Sequence, residues 1–82
     1  MPPPPPTLKH FILQARVLGL YRYAIRAARN IPDQAARKET IKWIRSEFER
    51  NRHIYDVSVI EEKLATGRRD LKQYFPATLP YR

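Results

Sequence analysis

With 82 residues, no cysteine, and 16 Lys/Arg against 8 Asp/Glu for a net charge of +8, the chain is one small domain that must hold together without disulfides or thiolate metal sites. A domain of this size buries only about 60% of the surface its unfolded chain exposes, so its packing is marginal and a partner is expected. The totals also exclude a cysteine nucleophile; no apolar run approaches the roughly 18 residues that span a bilayer, and no signal peptide can be drawn.

The charge is uneven. Residues 1–55 carry 11 basic and 4 acidic side chains, whereas residues 56–82 carry 5 and 4. An acidic partner is therefore expected on the first two thirds of the chain. Residues 1–6 read as a flexible Pro-rich leader, extended and poor in backbone donors, and residues 7–75 as the folded domain.

Thr7 is a natural N-cap for a first helix to about Asn30, ended by the Ile31-Pro32-Asp33 turn signal. At 100° per residue, Leu13, Val17, Leu20, Ala24, Ala28 and Ile31 form an inward stripe, and Arg22, Arg26 and Arg29 fall opposite it. Tyr21 lies at the edge, where a ring packs on its body and presents its hydroxyl. Absence of carboxylates before Asp33, with arginines spaced along the helix, is also the charge pattern of a mitochondrial import signal. Leu8, Phe11, Ile12, Ala15 and Leu18 form a second apolar stripe, which either helix 3 and the tail cover or another protein does.

Asp33 is predicted to cap a second helix to about Arg52, with Ile41, Ile44 and Phe48 inward and Arg37, Arg45 and Arg52 beside them. Trp43 lies well off this seam and is expected to pack on the other neighbouring helix, or else to face a partner. Asp56 is predicted to cap a third helix to about Tyr74, whose face is Val57, Ile60, Leu64, Gly67 and Leu71, extended by Phe75. Gly67 at a core position implies close helix approach or a void. Pro76 and Pro80 end the pattern, leaving residues 76–82 as an extended tail. The class is all-α: an antiparallel three-helix bundle, up-down-up.

Catalytic patterns are missing. His10 and His53 are far apart with no spaced carboxylate, so both read as surface residues and neither metal nor general-base chemistry is encoded. Ser46 and Ser58 sit in helical context without a nucleophile elbow, and two glycines cannot build a phosphate loop. Glu47 and Glu49 read as helix-surface partners for nearby cations. No enzyme is expected, and no cofactor of its own.

The tripeptide Leu20-Tyr21-Arg22 in the middle of helix 1, with Arg45, Phe48, Asn51 and Arg52 on helix 2 and Gly67-Arg-Arg-Asp-Leu71 on helix 3, resembles the LYR-motif family of small basic mitochondrial three-helix proteins. Within that family, Leu8-Lys-His-Phe11 and Arg37, Lys38 and Trp43 point to a branch linked to respiratory complex I and integration of its NADH-oxidising module. The resemblance implies a mitochondrial matrix adaptor that binds mitochondrial acyl carrier protein, an acidic helical protein. It also implies that the acyl chain on the carrier's phosphopantetheine arm enters a channel between the helices. Residue by residue, the resemblance puts Tyr21, Arg22, Arg26, Arg37, Arg45 and Arg52 on the carrier, and Leu20, Ala24, Ile44, Phe48, Leu64, Gly67 and Leu71 on the channel. The missing Gly67 side chain would then leave room for the chain. Leu8, Phe11, Ile12 and Leu18 are the candidate face for the client, a respiratory complex or its assembly intermediate.

Two rival classes share the charge. A small RNA-binding protein of the mitochondrial ribosome would also be basic, but helices 2 and 3 interleave acidic residues and no loop for base stacking is visible, so nucleic acid is not the expected partner. A membrane-surface helix would need the stripe that holds helices 2 and 3.

Overall fold

The computed structural model describes residues 4–75; the tail of residues 76–82 and the first three leader residues lie outside them. Three helices follow one another: α1 (Leu8–Ala28), α2 (Gln34–Asn51) and α3 (Val57–Tyr74). Their boundaries fall within two residues of the predicted ones because each start is fixed by a side-chain cap. The Thr7 hydroxyl accepts from the His10 amide, and the His10 ring accepts in return from the Thr7 amide. Asp33 accepts from the Ala36 amide at 2.8 Å. Asp56 accepts from both the amide and the hydroxyl of Ser58, at 2.9 and 2.7 Å.

The Ser58 hydroxyl and amide bonds hold the Asp56 carboxyl below the ordinary aspartate value. A carboxylate stabilised in the folded state contributes above its unfolded pKa and stops contributing as pH falls through the folded value. Asp56→Asn is therefore expected to cost a constant amount of stability above about pH 5 and progressively less below about pH 4. Urea unfolding of both proteins at pH 7 and pH 3 checks this; an equal difference at both would contradict it.

α1 packs against both other helices, antiparallel to α2 and parallel to α3, consistent with a three-helix bundle. The core is correspondingly double. Leu13, Leu20 and Leu64 join α1 to α3, with Val17, Val57 and Ile60 around them. Ala24, Ala28 and Ile44 join α1 to α2, with Ile25, Ile31 and Ile41. Alanines at these positions and at the buried Ala27 let α2 lie close. Leu71 touches both clusters.

No Cα of α2 comes within 8 Å of a Cα of α3. The bundle is thus opened on one side, and this corrects one expectation and narrows another. Trp43 is 54% exposed rather than packed on the other helix, because α3 does not reach it. Of the two covers considered for the second stripe of α1, helix 3 does not supply one: Leu8, Phe11 and Ile12 remain exposed, while Leu18 is half-buried on the opened side; the tail lies outside the described residues.

Candidate functional site: an apolar cleft beside a basic shoulder

Between α2 and α3, floored by α1, runs a cleft of about 1300 Å³ lined mainly by apolar side chains. Leu20, Ala24, Ile44, Phe48, Leu64, Gly67 and Leu71, the seven residues assigned to a channel, all line it. They meet because α1 supplies the floor from Leu20 and Ala24, and each flanking helix turns its inward stripe to the same space. Tyr21 joins them, with its ring edge-on to Phe48 at 5.1 Å and 73°. Trp43 stands on the rim.

Of the two readings of Gly67, close helix approach is the one the geometry bears out, and not the room that the resemblance implied. A Cβ there would stand 2.8 Å from Leu20 Cδ2, so the space beside this glycine is occupied by Leu20. The glycine's role is close approach, and the room in the cleft comes from the separation of α2 and α3.

The cationic residues divide into two groups. Arg22 and Arg26 are exposed on the outer face of α1, and Arg45 is exposed on α2; among the described residues none of the three is in an ion pair. Arg45 shares a shallow concavity with Arg29, Lys38 and Lys42, opposed by Glu49 alone. This makes a positive shoulder along α1 and α2. Arg29 and Lys38 were named from the sequence but not assigned to the carrier, and Lys42 was not named, although their helical spacing, with Lys38, Lys42 and Arg45 recurring at four and three residues, carried the signal.

Two predicted contributors are engaged elsewhere. Arg37 is half-buried and donates to the Ile31 carbonyl at 3.3 Å, bracing the α1–α2 turn. That bond uses one of the five guanidinium donors, so bracing the turn is a role beside the predicted one. Arg52 pairs with Glu49 at 3.2 Å, but it is 51% exposed and also lines the cleft, so it remains at the junction of shoulder and cleft.

His10 is not the detached surface residue the spacing suggested. Its ring stacks on Tyr55 with centroids 4.3 Å apart, and Nε2 lies 2.8 Å from the Tyr55 carbonyl. Only a fold that returns residue 55 to residue 10 makes this contact, and no local pattern announces it. Among the described residues no three His, Cys, Asp or Glu side chains gather to hold a metal ion, and no helix is long and apolar enough to cross a membrane.

Residues 15–73 match the profile of a family described as Complex 1 protein (LYR family). The chain is 40% identical over 73 residues to LYR motif-containing protein 2 of Xenopus laevis, covering 89% of this chain and 84% of that one. The proteins of the same name from Mus musculus and Homo sapiens are 37% and 34% identical over 73 residues, covering 89% of this chain and 83% of each. No solved structure matches.

Proposed function

This chain belongs to the Complex 1 protein (LYR) family, and on that premise we propose that it is a mitochondrial matrix adaptor that binds acylated acyl carrier protein and brings it to a respiratory complex, complex I in the first instance. The cleft carries this reading. A domain with seven buried hydrophobic residues among those described keeps about 1300 Å³ of largely apolar groove open on one side, which is costly in water and suits a flexible hydrocarbon. The acyl chain on its phosphopantetheine arm acts as a structural cofactor supplied by the partner.

The shoulder provides the complementary charge. Tyr21 lines the cleft and the consecutive Arg22 faces outward, so a carrier docked on Arg22, Arg26 and Arg45 stands next to the place its chain must enter. Charge-assisted contacts supply speed and selectivity of docking; the buried methylenes, at roughly 0.8 kcal/mol each, supply persistence. The exposed Leu8, Phe11 and Ile12 remain for the client. The chain contributes binding surfaces and no catalytic group.

The test is co-purification with mitochondrial acyl carrier protein in acylated and phosphopantetheine-less forms, beside Arg22→Glu. The expected result is tight binding of the acylated form alone, weakened about tenfold or more in the variant, as for loss of one charge-assisted contact worth about 1.4 kcal/mol or more. Failure to bind either form, with retention on RNA that falls steeply with salt, would replace this reading with the RNA-binding one.

A further inference from the structure

The two ends of the cleft differ. At one end Leu71 of α3 and Phe75, the residue that caps it, pack onto the Ala24, Ala28 and Ile44 cluster. At the other, the connection from α2 to α3 crosses beneath the separated helices and brings Ile54 and Tyr55 to the cleft, facing His10 of α1 and Pro6 of the leader.

Tyr55 is tied there from three directions. Its ring lies against His10. Its carbonyl can only accept, so His10 Nε2 carries the proton and donates to it at 2.8 Å; Nδ1 is then the bare nitrogen, which is what accepting from the Thr7 amide at 3.0 Å requires. One tautomer thus satisfies the helix cap and the tie together. Finally, the Tyr55 hydroxyl donates to the Pro4 carbonyl, so the Pro-rich segment is fastened across the outside of this end.

From the Tyr21–Phe48 pair to His10 is eleven residues of α1, or about 16 Å at 1.5 Å per residue. The stretch between is floored by Leu20 and Val17 and walled by Ile60 and Leu64. We propose that the His10–Tyr55 wall is an end stop that sets the longest acyl chain the cleft accepts, with Tyr55 as the length-determining residue. This rests on the acyl-carrier reading above.

The experiment measures binding of acyl carrier protein loaded with a series from octanoyl to octadecanoyl. The unaltered chain should gain affinity with length up to a cut-off and lose it beyond. Tyr55→Ala should move the cut-off to longer chains, each two newly housed methylenes raising affinity about tenfold. Tyr55→Trp should move it to shorter ones, and Tyr55→Phe, which keeps the ring and loses the Pro4 bond, should leave it in place. Far-UV circular dichroism reports folding; if Tyr55→Ala does not fold, the Trp variant decides. An unmoved cut-off in folded Ala and Trp variants would overturn the end stop while leaving the acyl-carrier reading intact. Binding of no acylated carrier by the unaltered chain would overturn both.

Discussion

Saturation with long-chain acyl carrier is expected to raise the melting temperature of this protein by about 10–20 °C. A ligand that binds only the folded state stabilises it by RT ln(1 + [L]/Kd), about 2.7 kcal/mol at a hundredfold excess over Kd, and 1 kcal/mol moves a domain of 60–100 residues by about 4–8 °C. The starting point is low because the core is divided into two small clusters. The carrier without its phosphopantetheine arm should add a few degrees at most, since exposed charge contacts on the shoulder contribute little to stability. A thermal scan of the chain alone and with each carrier form, at matched concentrations, reads the difference. Equal shifts from both forms would place the stabilisation on the shoulder and remove the cleft from the account.

Leu20→Ala is expected to remove a large part of the stability of the isolated chain. Leu20 is 5% exposed, belongs to the cluster with Leu13 and Leu64, and fills the space that Gly67 leaves beside it. Deleting such a side chain costs about 2–5 kcal/mol, against a total of roughly 4–12 kcal/mol for a chain of this length at 0.05–0.15 kcal/mol per residue. The void would open directly into the cleft, where water enters, and the facing glycine has no side chain to collapse into it. Urea unfolding followed by circular dichroism measures the loss. A cost below about 1 kcal/mol would mean that the α1–α3 contact is not a principal support of the fold.

Much of this molecule was legible in the sequence because its local rules agree. Thr7, Asp33 and Asp56 each begin a helix, apolar spacing names the inward faces, and the family tripeptide falls where core, cleft edge and outer face meet. Periodicity assigns residues to faces but does not say how far apart two faces lie. Hence Trp43 was expected against a neighbour that stands too far away, and the pattern could not decide whether Gly67 meant contact or room. Arg37 shows the same limit: its place beside the seam was readable, whereas its bond to the Ile31 carbonyl depends on the geometry of a turn. Residues 10 and 55 are joined by a contact across 45 positions, which no window of sequence contains.

The separation of α2 from α3 has a mechanical consequence. Each leans on α1 through its own cluster, and among the described residues only Leu71 belongs to both, with Phe75 beside it on the α1–α2 cluster. Widening the angle between them would therefore part the Leu71 and Phe75 contacts and spare the rest of each interface, as two covers swing from one spine. The groove is adaptable in girth for guests of different bulk, while its far end stays fixed by the segment that joins the covers.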